Sequence, residues 1–135
     1  MTGRILVIAG EPISRSQISA ALTKATFMVA DVPNFPEALL KLNEFKPDVV
    51  IMDAVLPGGD GMEACYQLHS LHSTFGIPVI LLGEDSSDEV WERVMEADAD
   101  LYLAKPFSYV ELAARVKAIL RRYRRQKAPR YQNEQ

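Results

Sequence analysis

The 135-residue chain has little of the chemistry on which several protein classes depend. It contains one cysteine, Cys65, so an internal disulfide framework is excluded. No apolar run reaches the roughly 18 residues that a membrane-spanning helix needs. The first strand pattern follows Met1-Thr2-Gly3-Arg4 directly, which leaves no room for a secretory leader. We therefore expect a cytoplasmic protein that folds without disulfide bonds and has no membrane partner.

Charge is distributed unevenly along the chain. The net charge is −3, but residues 115–135 carry eight of the 15 Lys and Arg residues against Glu134 alone, which gives +7 there and −10 in residues 1–114. Such a basic end could contact nucleic acid or another anionic surface. We favour a solvated helix end, because the helix dipole stabilises cations at the carboxyl terminus of a helix.

Hydrophobic residues form 48% of the sequence, enough for one core at this length, and they recur in a regular order. Five short apolar runs predict buried strands at residues 5–8, 28–32, 49–52, 79–82 and 101–103. Segments with helical spacing separate them; the fourth carries Val90, Val94 and Met95, and the fifth opens on a capping box of Ser108 and Glu111. Strict strand and helix alternation predicts an α/β fold, a doubly wound (βα)5 sheet of five parallel strands.

The most informative stretch is residues 51–61, where an apolar strand ends in a single carboxylate, Asp53, and then turns sharply. In an open α/β sheet the carboxyl ends of the strands line the ligand crevice, and right-handed crossovers place the ends of strands one, three, four and five there. A lone aspartate at that point can act as a nucleophile or a metal ligand.

Taken together, these motifs resemble the receiver domains of bacterial two-component response regulators, of flavodoxin/CheY-like fold. The resemblance covers residues 3–122. It rests on five segments, at residues 5–12, 47–53, 56–61, 77–82 and 102–107. The last segment contains Lys105 and an expected cis Lys105-Pro106 bond. Residues 111–122 further resemble the OmpR/PhoB branch, in which receivers are joined to winged-helix DNA-binding domains. In this interpretation residues 123–135 are a basic tail or linker toward an output domain, and DNA is contacted only through that domain.

The resemblance implies roles for three side chains. Asp53 would accept a phosphoryl group from a histidine kinase, Lys105 would pair with a phosphoryl oxygen, and Tyr102 would be the aromatic that moves on activation. We do not expect an enzyme, because the sequence shows no nucleophile and base pair and no cofactor-binding loop.

One departure from the family lies at the metal site. After the first strand the family has two acidic residues that hold Mg²⁺, whereas this chain has Ala9 and Gly10. The remaining oxygen donors, which are Asp53, the Val55 carbonyl and Glu11, would make a weak cage for an ion that prefers octahedral oxygen ligation. Phosphoryl transfer depends on such a metal. We therefore expect an atypical acceptor site with weak or absent phosphorylation and no required cofactor. The alternative is a conventional phosphorylated receiver that recruits Glu11 and controls a winged-helix output domain.

A second departure follows the fourth strand, where the family has a Thr or Ser that binds the phosphoryl group. This chain has Gly83-Glu84, which removes a hydrogen-bond donor and adds a negative charge. Losing that bond to a charged acceptor would cost about 1.5 to 3 kcal/mol. Tyr102 would have no hydroxyl movement to follow, so we expect the coupling from phosphate to the surface of the fourth helix, fifth strand and fifth helix to be cut.

That surface is also where this branch of the family forms dimers. Trp91 adds an aromatic of the kind that anchors interfaces. The hypothesis is a metal-independent homodimer, with a histidine kinase or another signalling protein as the other partner. The candidate interface residues are Trp91, Glu96, Asp100, Glu111, Arg115 and Lys117. The alternative is that Trp91 packs onto its own domain and the charges form solvated pairs worth roughly 0 to 1 kcal/mol each.

Overall fold

A five-stranded parallel sheet forms the centre of the molecule, with helices on both faces. The computed structural model describes residues 3–71 and 76–133, and side chains as far as Tyr123. The strands lie in the order β2-β1-β3-β6-β7. The elements are β1 Arg4–Ile8, α1 Pro12–Lys24, β2 Met28–Val32, α2 Phe35–Phe45, β3 Val49–Asp53, β4 Val55–Leu56, β5 Gly59–Asp60, α3 Gly61–Ser70, β6 Val79–Gly83, α4 Asp88–Ala97, β7 Leu101–Ala104 and α5 Tyr109–Asn133. The predicted fold class is confirmed.

Two hydrophobic clusters hold the helices on opposite faces of the sheet. Successive side chains of a strand point to opposite faces, so Ile5 and Val7 pack with α1 and α5 while Leu6 and Ile8 pack with α2, α3 and α4. Every residue of β3 and β6 is buried. This burial explains why the central strands appear in the sequence as continuous apolar runs.

Local sequence sets where the helices begin. In α1, α3 and α4 the side chains of Glu11, Asp60 and Ser87 accept hydrogen bonds from backbone N–H groups of the first turn. At the start of α5, Ser108 Oγ accepts from the Glu111 N–H at 2.8 Å, which is one half of the expected capping box.

The parallel sheet places the loops that carry the candidate site at one edge. Asp53 ends β3, Gly83 ends β6, and Lys105 follows β7. The loop after β3, predicted only as a turn, folds into a small antiparallel hairpin of β4 and β5.

The predicted boundary at residue 122 lies within α5, whose backbone is helical to Asn133. The basic side chains beyond Tyr123 lie outside the described residues, so the tail or linker remains a prediction. Among the described residues, no helix combines the length and hydropathy needed to cross a bilayer.

Candidate functional site

Asp53 and Lys105 meet at the carboxyl edge of the sheet, although 52 positions separate them in sequence. Asp53 is 8% exposed. The Lys105 ammonium donates to its Oδ1 at a distance of 3.3 Å. The Lys105-Pro106 peptide bond is cis, as expected from the motif. The arrangement is therefore a nearly buried carboxylate with one cationic partner.

Burial and charge act in opposite directions on Asp53. Removal of water raises the pKa of its carboxyl group, and the charge and hydrogen bond of Lys105, with a hydrogen bond from the Gly10 backbone, only partly offset this. The charge of Glu84 adds to the rise in pKa. Asp53 is thus more easily protonated than an exposed aspartate, and any further negative charge attached to it would also face Glu84.

Two side chains, those of Arg15 and Pro57, pack against the loop after β1. Arg15 Nη1 donates to the carbonyl oxygens of Ala9 and Gly10, at 2.8 and 3.4 Å, so these oxygens already accept hydrogen bonds from a guanidinium. A Cβ atom built on Gly10 would lie 2.7 Å from Cδ and Cγ of Pro57, closer than packed carbon atoms approach. Position 10 therefore has no room for a side chain while Pro57 stays where it is.

Glu11, the donor proposed as a substitute metal ligand, is engaged elsewhere. Its carboxylate caps α1 by accepting from the backbone N–H groups of Ile13 and Ser14, at 3.0 and 2.8 Å. These bonds lower the pKa of Glu11. Within residues 3–71 and 76–133, no three His, Cys, Asp or Glu side chains are grouped closely enough to hold a metal ion.

The remaining donors do not fit Mg²⁺. Asp53 and the Val55 carbonyl would have to hold the ion beside the Lys105 ammonium. Mg²⁺ gives up its hydration shell only to well-placed oxygen ligands, usually carboxylates and phosphates, and the positive charge of Lys105 would oppose its approach.

Tyr102, the predicted switch residue, points inward. It is 4% exposed, and its hydroxyl donates to the Asp85 carbonyl at 2.5 Å. Its ring and the Trp91 ring form an edge-to-face pair, with centroids 5.3 Å apart and planes at 75°. Tyr102 thus connects the loop before α4 to an aromatic residue on the surface of α4.

A cleft of about 580 Å³ opens beside Asp53, Tyr102 and Lys105. Arg93 of α4 forms an ion pair in its wall with Asp60, the last residue of β5 and the N-cap of α3. The sequence gives no signal for this pair, nor for the contacts of Arg15, because both depend on how separate elements pack. The described wall contains more acidic than basic side chains.

The candidate interface residues differ in their surroundings. Trp91 is 43% exposed, and Met95 beside it on α4 is 78% exposed, although the sequence pattern had grouped Met95 with the helix core positions. Glu96 and Lys117 are exposed. Arg115 lies 3.8 Å from Glu111 on its own helix. Asp100 accepts from the Val79 N–H at 2.9 Å, a contact that holds β6 within the domain.

Comparison with known proteins adds a sequence relationship to this geometry. The sequence model of the response regulator receiver domain family matches residues 5–117 of this chain. The phosphate regulon transcriptional regulatory protein PhoB of Escherichia coli (strain K12) is 37% identical over 122 residues, 90% of this chain and 53% of that protein. The alkaline phosphatase synthesis transcriptional regulatory protein PhoP of Bacillus subtilis (strain 168) is 38% identical over 124 residues, 90% of this chain and 50% of that protein.

Solved structures agree with the fold. The signal receiver domain of a signal transduction histidine kinase from Syntrophus aciditrophicus superposes with a TM-score of 0.81 at 32% identity, covering 87% of this chain and 89% of that one. The chain spans about half the length of the curated relatives it matches.

Proposed function

This chain belongs to the response regulator receiver family, and we propose that it transmits signals through protein contacts, with weak or absent Mg²⁺-dependent phosphorylation at Asp53. The proposal goes beyond family membership in one respect, which is that the state of the domain is not set by a phosphoryl group. Receiver domains of response regulators are generally non-enzymatic and interact with histidine kinases. We propose no catalytic activity for this chain on its own.

The observation that carries the proposal is the closed loop after β1. Position 10 has no space for a carboxylate, the Ala9 and Gly10 carbonyls accept from Arg15, and Glu11 caps α1. Phosphoryl transfer needs a cation that spreads the developing negative charge. The cation that contacts Asp53 is instead the Lys105 ammonium, which carries one charge where the family reaction uses a divalent ion as well.

Partner contact is proposed for the surface of α4, β7 and α5. Trp91 and Met95 expose apolar area on α4, and Glu96 on α4 and Arg115 and Lys117 on α5 are exposed charges. Exposed aromatic residues contribute much of the binding energy at protein interfaces. We propose a second copy of this chain as the occupant of this surface, and a histidine kinase or another signalling protein as an upstream partner, all in the cytoplasm.

A second function, phosphorylation-dependent control of a winged-helix output domain, is favoured by one feature of the site. The Lys105 ammonium already lies 3.3 Å from Asp53 Oδ1, where it could stabilise a phosphorylated aspartate. The relatives PhoB and PhoP are transcriptional regulators that are longer than this chain, which matches about half of each. In this function DNA would be contacted by the output domain, through a connection in residues 123–135.

Intact mass after incubation with acetyl phosphate separates the two functions. The protein is incubated either with Mg²⁺ at millimolar levels or with a chelator, and Asp53→Asn serves as the matched control. We expect little or no gain of a phosphoryl group in any sample. Stoichiometric, Mg²⁺-dependent addition that is lost in Asp53→Asn would contradict the proposal and support the second function.

A further inference from the structure

Gly83 and Tyr102 compete for the same space on one face of the sheet. In the parallel pairing of β6 with β7, Leu81 is opposite Tyr102 and Gly83 is opposite Ala104. Residues two apart on a strand point to the same face, so a side chain at position 83 would point toward the ring. A Cβ atom built on Gly83 would lie 2.2 Å from Tyr102 Oη and 2.9 Å from Cζ.

The backbone at Gly83 does not itself require glycine. Its φ is not positive, since Gly58 and Gly76 are the glycines with positive φ among the described residues. Within a β-strand any L-residue adopts the extended conformation. The ring of Tyr102 is therefore what a side chain at this position would displace.

The buried ring organises the start of α4 and the surface beyond it. Its hydroxyl donates to the Asp85 carbonyl two residues before Ser87, the residue that caps α4. Its ring contacts Trp91, which is partly exposed on that helix. A change in the position of the ring would therefore alter both the loop and the support of Trp91.

We infer that Gly83 leaves the space in which Tyr102 is buried, so that the surface carrying Trp91 is formed whether or not Asp53 is modified. This inference deepens the proposed function, since it states how the domain is regulated: the partner surface is fixed by the residue at position 83 and is not switched by a phosphoryl group. A side chain larger than hydrogen at position 83 would instead take the space that the Tyr102 ring fills.

Substitution at position 83 should move the ring without unfolding the domain. The nearest atom to an added Cβ is the far end of the Tyr102 side chain, which can change rotamer, and no backbone atom is among the three nearest. We expect Gly83→Ala to expel the ring from its pocket and to remove the edge contact with Trp91.

Trp91 is the only tryptophan in the sequence, so its fluorescence reports this contact directly. We expect Gly83→Ala to shift the Trp91 emission maximum and to increase quenching by acrylamide, with far-ultraviolet circular dichroism unchanged. Gly59→Ala is the matched control, because nothing lies within 4 Å of a Cβ at that position. In a Tyr102→Leu background, emission should be the same with glycine or alanine at position 83.

Three outcomes would overturn the inference: native emission in Gly83→Ala, an equal shift in Gly59→Ala, or the same shift when Tyr102 is Leu. If Gly83→Ala fails to fold, recovery of folding by Tyr102→Leu supports the steric conflict, and no recovery overturns it. The outcome is separable from the proposed function. If Asp53 becomes phosphorylated while native Trp91 emission stays unchanged, the proposed function fails and the inference stands.

Discussion

Lys105 is expected to stabilise the native fold by neutralising Asp53, and Lys105→Met tests this. The substitution keeps a long apolar side chain but removes the ammonium that lies 3.3 Å from Asp53 Oδ1. Asp53 would then be a buried carboxylate that keeps the neutral hydrogen bond from the Gly10 backbone but has lost the cation paired with it. Asp53→Asn and the double variant complete a cycle that isolates the energy of the pair.

The structure limits the size of the effect. At 3.3 Å the attraction between unit charges is roughly 5 kcal/mol at an effective dielectric constant of about 20, before desolvation costs are subtracted. The Lys105 side chain is 31% exposed and that of Asp53 is 10% exposed, so the pair lies between a surface ion pair and a fully buried one. Surface pairs contribute about 0 to 1 kcal/mol, and breaking a buried pair costs about 3 to 5 kcal/mol. We expect Lys105→Met to lower the free energy of unfolding by about 1 to 3 kcal/mol near pH 7.

The loss should depend on pH in a defined direction. Burial raises the pKa of Asp53 in the native state above its unfolded value, and Lys105 lowers it. Removing Lys105 therefore raises the pKa further, and the native state binds the proton more tightly than the unfolded chain does. Stability of Lys105→Met should recover as pH falls through this raised pKa, because protonation removes the unpaired charge.

Urea unfolding of the four proteins at pH 5 and pH 8 measures both effects. The difference between native protein and Lys105→Met should be larger at pH 8, and the Lys105→Met substitution should cost little in the Asp53→Asn background. An equal cost in both backgrounds would show that Lys105 acts through packing, and a difference that grows as pH falls would refute the electrostatic explanation.

Three further predictions follow from the same contacts. Gly10→Asp alone should not create a Mg²⁺ site, because Pro57 occupies the space of its side chain; a saturable, millimolar Mg²⁺ effect on tryptophan fluorescence in that variant would contradict this. Sedimentation should show that the native protein is a dimer, that Trp91→Ala weakens the dimer, and that Arg115→Ala weakens it less. A monomer in all three samples would refute the dimer hypothesis. Burial raises the pKa of Tyr102 above its ordinary value. Tyr102→Phe should therefore remove from the ultraviolet absorbance titration a tyrosinate transition whose midpoint lies above pH 10. Loss of a transition with a midpoint below pH 10 would instead show that the ring is exposed.

Much of the fold could be predicted because its signals are local. The five predicted strand runs lie within the strands of the sheet. The signal is strongest in the central strands β3 and β6, which are buried at every residue and are therefore mainly apolar. The meeting of Asp53 and Lys105 followed from topology, because parallel strands bring their carboxyl ends to one edge. Neither prediction required knowledge of side-chain packing.

The contacts that decide the chemistry could not be predicted in the same way. The approach of Pro57 to Gly10 depends on the path of the β4 and β5 hairpin. Met95 is exposed because the buried face of α4 is formed by Val90, Val94 and Ala97. Arg15 is an unremarkable charge in the sequence, yet it binds the Ala9 and Gly10 carbonyls. Such contacts join elements that are separate in sequence, and spacing along the chain carries no information on them.

The two departures of this chain from its family share a physical cause that makes them hard to reverse. At Gly10 the missing carboxylate leaves a space that Pro57 has closed, and at Gly83 the missing hydroxyl leaves a space that Tyr102 fills. Close packing means that neither space remains open for a restored side chain. Replacing either glycine with the family residue would therefore first displace a neighbour, and the site would be rebuilt only if Pro57 and Tyr102 could both take new positions. A single substitution that restored full, metal-dependent phosphorylation and a movement of Trp91 together would refute this account.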